Sequence, residues 1–243
     1  MINISICMAT YNGEKYIAEQ IDSILMQMRD ADELVISDDS SSDNTIEIIK
    51  RYKDPRIKLY EGNKFRSPIL NFEYVIKCAK NSIITLADQD DVWLDGKLDL
   101  IRKYFLINNV RSVLVMDNYV VDMHLNIVNP SLFELINSGN GFFKNLKKNT
   151  FLGCNLAFTS DLLKYILPFP KGIPMHDIWI GLVSTIFAKV TFIPERTILF
   201  RRHMTNATKL KNSLFQKLIW RFLLLWSLGK IIFKSSLKSL FSV

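Results

Sequence analysis

A chain of 243 residues that is 49% hydrophobic, with only 9 Gly and 7 Pro, is long enough to bury a core and is not collagenous, low-complexity or disordered. Its three cysteines, Cys7, Cys78 and Cys154, are too widely and unevenly spaced for a disulfide framework or a CxxC zinc or redox site. The formal charge of +7 gathers behind Glu195, the last acidic residue, so basicity describes a tail and not a nucleic-acid-binding body.

The length suits one α/β domain with an appendage, and no internal repeat is visible. The start, MINISICMATYNG, has no basic region ahead of its short apolar run and reads as a strand, not a signal peptide. With the cysteine usage, this points to the cytoplasm.

Residues 2–9 form an apolar, β-branched run that Asn12-Gly13 breaks before YIAEQIDSILMQM, whose apolar positions recur at helical spacing. A second unit follows, with ELVISDD as strand, SSSDNT as a loop of helix-capping residues and TIEIIKRY as helix. RIKLYEG and ILNFEYVIKCAK make a third strand and helix. SIITLA is the fourth strand; it runs into an acidic turn and a helix over residues 95–105, and VLVMDNYVV is a fifth strand. Strands alternating with helices of this length imply a mainly parallel sheet covered on both faces, with ligands at the carboxyl ends of the strands.

Past residue 125 the pattern loosens. LGCNLAF reads as a strand, SDLLKYIL as a short helix closed by Pro168 and Pro170, HDIWIGLVSTIFA as a helix, and KVTFI and ERTILFRR as two strands. The expected division is a domain over 1–210, with a nucleotide-binding half over 1–125 and an acceptor-side half over 126–210, followed by a tail over 211–243.

The acidic turn LADQDDVW sets Asp88, Asp90 and Asp91 directly behind a buried strand. Like charges this close repel, so the turn either meets a cation or is a solvated turn in which Asp91 or Asp95 caps the next helix. Mg²⁺ or Mn²⁺ held by one or two carboxylates completes its shell with water and phosphate oxygens. Asp38 and Asp39 form a second acidic turn two units earlier, which favours the ligand reading. No GxGxxG or GxxxxGK[ST] is present, so dinucleotide and Walker-type sites lack support. Arg201, Arg202 and His203 would supply positive charge to a phosphorylated ligand, or form a solvated strand end. Asp177, after Pro174, is either a helix cap or a general base.

Six segments in order, CMATYNGEKYIAEQIDSIL, VISDDSSSDNT, LADQDDVW, FLGCNLAF, MHDIWI and FRRHMTN, resemble the family 2 glycosyltransferases, and within them the bacterial rhamnosyltransferase-like group. The resemblance implies the GT-A fold, a Rossmann-like, mainly parallel sheet flanked by helices, and a nucleotide-sugar donor carrying UDP or dTDP. It implies that Thr10, Tyr11, Asn12 and Glu14 form the first nucleotide-binding turn and that Asp39, with Asp38, meets the pyrimidine. By the same resemblance Asp88 is expected to lie toward the ribose and Asp90 to bind the metal, Mn²⁺ or Mg²⁺. Asp177 matches the catalytic base, Arg201 a basic group near the diphosphate and His203 a further metal ligand. Gly153, Cys154 and Asn155, with His176 and Trp179, fall on the acceptor side. Two departures concern acceptor fit: Ile178 stands where the group has a second Trp, and Met204 where it has Gly.

The implied activity is inverting transfer of a sugar, rhamnose first, to a hydroxyl of a cell-surface polysaccharide or lipid-linked glycan precursor. Two other readings stay open on the residues. DQDDV also fits the DxDx[TV] pattern of metal-dependent phosphohydrolases, and the chain could be a non-catalytic, membrane-docked nucleotide-sugar binder.

Residues 213–243 hold Lys217, Arg221, Lys230, Lys234 and Lys238 and no acid, interleaved with Leu, Phe and Trp. Their longest uninterrupted apolar run, FLLLW, is far short of the roughly 20 residues a span needs. A basic amphipathic tail with a bend at residues 227–229, lying on the inner face of the plasma membrane, is one expectation. Packing back on the domain or on a second subunit is the other.

Overall fold

The computed structural model describes residues 2–108, 110–202 and 213–240. Four β-α units open the chain: β1 (Ile4–Thr10), α1 (Ile17–Leu25), β2 (Glu33–Asp38), α2 (Thr45–Arg51), β3 (Ile57–Tyr60), α3 (Pro68–Cys78), β4 (Ile83–Ala87), β5 (Val92–Trp93) and α4 (Lys97–Ile107). The rest comprises β6 (Ser112–Val121), β7 (Ile127–Asn129), α5 (Leu132–Ile136), α6 (Phe142–Lys147), β8 (Leu156–Thr159), α7 (Leu163–Ile166), α8 (His176–Phe187), β9 (Lys189–Arg201) and α9 (Leu214–Leu240).

The sheet order is β3-β2-β1-β4-β8-β6-β9-β5, with β7 paired to β6. The first four strands are parallel, as the β-α alternation requires. Beyond them β8 inserts antiparallel to both β4 and β6, and β6 pairs parallel with β9. The parallel character therefore belongs to the first half and the second half is mixed.

Alternation along each strand divides the core in two. On β1, Ile4, Ile6 and Met8 meet α1, α2 and α4 on one face, where Ile21, Ile49 and Leu98 are buried. Cys7 faces the other side, against Val75 of α3 and a cluster that takes in Trp179 and Leu182 of α8.

Several sequence expectations are corrected. The run at residues 152–158 is a strand only from Leu156, because Gly153–Asn155 forms a 3₁₀ turn. The helix expected over 160–167 is split into a 3₁₀ turn, Ser160–Leu162, and the single turn of α7. The two last strands are one, β9, which runs through Pro194 because the register with β6 shifts opposite Met116 and Asp117 and relieves Pro194 of a ladder donor. The acidic turn leads first into β5, and α4 starts only at Lys97 behind Gly96, which adopts φ 86°.

The tail is one continuous helix with no bend at residues 227–229. One face packs home: Leu224 and Leu228 are 1% and 2% exposed and join the α3/α8 core. The other face does not, with Phe222, Trp226 and Phe233 57–68% exposed. Packing back on the domain thus holds for one face of the tail, and the other face is exposed. Among the described residues no helix is long and apolar enough to cross a membrane.

Candidate active site

The carboxyl ends of the parallel strands are stitched together turn by turn. At the end of β1, Asn12 takes φ 48°, a left-handed conformation that Asn tolerates, and its Oδ1 accepts from the N–H of Ser42 at 2.8 Å. The backbone N–H groups of Asn12 and Gly13 donate to the hydroxyls of Ser41 and Thr45. The Glu14 carboxylate accepts from the backbone and side chain of Asn44 at 3.0 and 2.8 Å. Tyr11 projects outward, 57% exposed. The loop expected to supply helix caps after β2 thus holds the β1 turn, and Glu14 acts as a brace in it.

Asp38 and Asp39 are also engaged by protein donors. Asp38 is fully buried and accepts from the Thr10 hydroxyl, the Ser41 N–H and the Ser41 hydroxyl. Asp39 accepts from the N–H groups of Phe65 and Ser67 at 2.6 and 3.1 Å, which fixes the loop before α3. Asn71 of α3 backs this wall, donating to the carbonyls of Thr10 and Ser37.

Gln89, between Asp88 and Asp90, joins the acidic turn to the β1 turn. Its Oε1 accepts from the Tyr11 N–H at 2.9 Å and its Nε2 donates to the Tyr11 carbonyl at 3.0 Å. A Cβ on residue 13 would lie 2.5 Å from that Oε1, so Gly13 is what allows the approach. Gln20 of α1 donates to the Asp88 carbonyl at 2.7 Å and supports the turn from below.

The charges of the turn are strongly coupled to their surroundings. Asp88 is pushed up to about 7 by burial first, then by the negative charges of Asp90 and Asp177. Asp177, at the start of α8, is raised to about 7 by burial, and its Oδ1 accepts from the Ile178 N–H at 2.6 Å. The charge of Asp177 contributes to the rise at Asp88, so the start of α8 lies near the acidic turn. Asp91 is buried, raised well above the carboxylate range by burial and by its two neighbours, and accepts from the Arg201 N–H at 3.0 Å.

Lys97, the first residue of α4, is buried at 1% exposure. Its ammonium donates to the Cys154 carbonyl at 2.9 Å and lies 4.3 Å over the Trp93 ring. Burial drives its pKa down to about 7 against the opposite pull of Asp91 and Asp88. It places a cation behind the acidic turn that the sequence reading missed.

Arg201 does not face open space. It is 3% exposed, its guanidinium donates to the Asp90 carbonyl, the Met123 carbonyl and the Glu19 carboxylate at 2.5–2.9 Å, and it lies 4.6 Å over the Tyr16 ring. In this structure Arg201 clasps the acidic turn. His203 lies outside the described residues.

Of the residues expected on the acceptor side, Trp179 is fully buried in the core with Nε1 donating to the Ile166 carbonyl. His176 is 6% exposed and stacks on Phe72 with centroids 4.0 Å apart. Neither ring nitrogen has a hydrogen-bond partner, and burial pushes its pKa down to about 3, so the ring is neutral. A Cβ at Gly153 would come 2.7 Å from His176 Nε2, which explains the glycine. Cys154 and Asn155 are wholly buried behind the acidic turn, and Asn155 accepts from Asn118 of β6.

Two donor sets lie at the acidic turn. Oxygens of Asp88 and Asp91 and the Cys154 sulfur lie within 4.8 Å of one another. That thiol is held well above its ordinary pKa by burial, so it stays protonated and suits a hard cation poorly. Asp88 and Asp90, half-buried at the strand end, form an oxygen-only edge whose mutual repulsion a cation relieves. These two carboxylates fit Mg²⁺ or Mn²⁺.

With β3-β2-β1-β4 parallel, β8 inserted beside them and carboxylates converging from β4 and α8, the architecture is that of a GT-A glycosyltransferase. The sequence model described as glycosyl transferase family 2 matches residues 5–167, and the chain belongs to that family. It is similar to a protein of Escherichia coli named UDP-Glc:alpha-D-GlcNAc-diphosphoundecaprenol beta-1,3-glucosyltransferase WfgD, 30% identical over 69% of this chain and 64% of the relative. It is also similar to the dTDP-rhamnosyl transferase RfbG of Shigella flexneri, 39% identical over 42% of this chain and 38% of the relative. The chain therefore spans less than two thirds of the length of either. Among solved structures, S. aureus TarS 1-349 in complex with UDP-GlcNAc superposes with a TM-score of 0.74 at 19% identity, covering 93% of this chain and 66% of that 1-349 chain, a likeness of fold. The family leaves the phosphohydrolase reading without support.

Proposed function

We propose that this chain is an inverting glycosyltransferase that moves a sugar from a pyrimidine nucleoside diphosphate donor to a hydroxyl of a lipid-linked or polysaccharide precursor. The observation that carries the reading is Asp177 at the start of α8, a carboxylate that burial raises to about 7 and whose charge reaches Asp88 of the acidic turn. A base with a pKa near neutrality takes a proton efficiently at physiological pH. Asp177 accepts the proton of the acceptor hydroxyl as its oxygen attacks the anomeric carbon. The bond from that carbon to the donor diphosphate breaks in the same displacement, which inverts the centre.

Asp88 and Asp90 would hold the divalent cation, which when bound supplies positive charge to the leaving diphosphate. Gln89 and Arg201 keep those carboxylates in place through Tyr11 and the Asp90 carbonyl. Thr10, Tyr11, Asn12 and Asp39 frame the nucleoside, with Tyr11 exposed enough to cover a base. Neutral His176 and Gly153 border the acceptor side.

The candidate donors are dTDP-rhamnose, which the sequence resemblance favours, and UDP-glucose, since the named activities of the two relatives divide between them. The exposed aromatic face of α9, with Lys217, Lys230 and Lys234, suits an anionic membrane surface at the cytoplasmic side. Because Leu224 and Leu228 belong to the core, that surface is tested by substitution and not deletion. Phe222→Ser with Trp226→Ser should abolish pelleting with anionic liposomes; unchanged pelleting rejects the membrane contact.

The test of the activity is Asp177→Asn assayed with each donor. The expected result is loss of transfer with donor affinity retained. Turnover equal to the parent would reject the base, and absence of turnover in the parent with every donor and acceptor would leave a nucleotide-sugar binder.

A further inference from the structure

A cavity of about 300 Å³ opens between α9 and the segment that follows α6, and Asp177 forms part of its wall. Four of its other lining residues are cationic: Lys147, Lys148, Lys217 and Arg221. Among the described residues none of the four is in an ion pair with a carboxylate. Arg221 donates to the carbonyls of Leu146 and Lys147 at 3.2 and 2.6 Å, and this fastens α9 so that cations some seventy positions apart in the chain line one space.

Four positive charges share this wall with one carboxylate, Asp177, to which none of them is ion-paired, so they repel one another, and an anion relieves that repulsion. A single charge is too little for the set; phosphate oxygens in a pair of linked groups match several ammonium donors at once. The cavity also has an apolar side, with Ile178, Trp220 and Leu224, and it lies at the root of the helix whose outward face exposes Leu218, Phe222 and Trp226. The order along this path is base, cations, apolar surface. A sugar joined through a diphosphate to a lipid chain has the same order: hydroxyl, diphosphate, hydrocarbon.

Resting on the proposed transferase reading, we propose that this cavity is the acceptor's diphosphate subsite. Lys147, Lys148 and Lys217 take the phosphate oxygens of a lipid-diphosphate-linked sugar whose hydroxyl lies at Asp177, and the outward face of α9 takes the lipid. Arg221 is a positioning residue that keeps α9 and the end of α6 together.

The test measures binding of the full chain to geranylgeranyl diphosphate and to geranylgeraniol, each carried in phosphatidylcholine vesicles. EDTA is present so that the Asp88–Asp90 edge contributes no metal-dependent diphosphate binding. The expected result is at least tenfold tighter binding of the diphosphate than of the alcohol. Lys147→Gln with Lys217→Gln, both at exposed positions and checked by an unchanged melting temperature, should reduce that preference to threefold or less. Equal binding of diphosphate and alcohol by the parent overturns the proposal, as does a double variant that keeps the full preference. A third arm uses phosphatidylglycerol vesicles without diphosphate lipid: if the variant loses binding only there, the lysines meet membrane headgroups and the subsite is rejected. The readout needs no turnover, so a chain that binds the diphosphate yet transfers no sugar would refute the transferase reading alone. One that transfers sugar without the preference would refute the subsite alone.

Discussion

Gly13 and Gln89 are 76 positions apart, and the structure makes one depend on the other. A methyl group at residue 13 would lie 2.5 Å from Gln89 Oε1 and 2.7 Å from Cδ, so Gly13→Ala must push the amide away and break both of its hydrogen bonds to Tyr11. A net hydrogen bond is worth about 0.5–1.5 kcal/mol, and both of these lie near solvent, which puts their combined loss at about 1–2 kcal/mol. Gln89→Ala removes the same two bonds and should cost the same. The double variant has no amide left to displace, so its cost should equal that of either single, giving a coupling of about 1–2 kcal/mol. Urea denaturation of the four proteins measures the cycle, and calorimetry with UDP or dTDP should show weaker donor binding in all three variants. If the two single costs simply add in the double variant, the amide is not the link between the turns.

The turnover number should fall about tenfold per pH unit below pH 7 and level off above it, because Asp177 works only when ionised and burial raises its pKa to about 7; a pH-rate profile flat from pH 5 to 8 would contradict the base. Arg201→Met should lower stability by about 2–3 kcal/mol and raise the donor KM, since it strips donors from the Asp90 and Met123 carbonyls and from Glu19. Arg201→Lys should rescue little, because a single ammonium does not replace the guanidinium fork; full rescue in a urea melt would argue against the clasp. Gly181→Ala should drive a methyl into the Phe151 ring and cost about 1–3 kcal/mol, read as a lower melting temperature with the donor KM unchanged.

The first half of the fold was legible because each buried strand announces itself by an apolar run ended by a polar turn, as at SIITLA before Asp88. Asn12-Gly13 likewise marks its own left-handed turn. What stayed hidden depends on partners far along the chain. Lys97 reads as a solvated first-turn lysine, and only the fold reveals that Cys154 and Trp93 enclose it. Arg201 was legible as a cation near the site, but its acceptors come from Glu19, Asp90 and Met123, which no local pattern links. Pro194 looked like a strand break because its position opposite a register shift is a property of β6. Gly229 looked like a bend because glycine weakens a helix by about 1 kcal/mol, a cost too small to break one anchored by Leu224 and Leu228.

The central claim is that the Asp88–Asp90 edge holds a cation that anchors the donor diphosphate. Titration calorimetry of dTDP and UDP into the chain, with Mn²⁺ and then with EDTA, tests it most directly. The account predicts binding that Mn²⁺ strengthens at least tenfold and that Asp90→Ala reduces to the level seen with EDTA. Affinity indifferent to Mn²⁺, or an Asp90→Ala protein that binds and turns over like its parent, would contradict it.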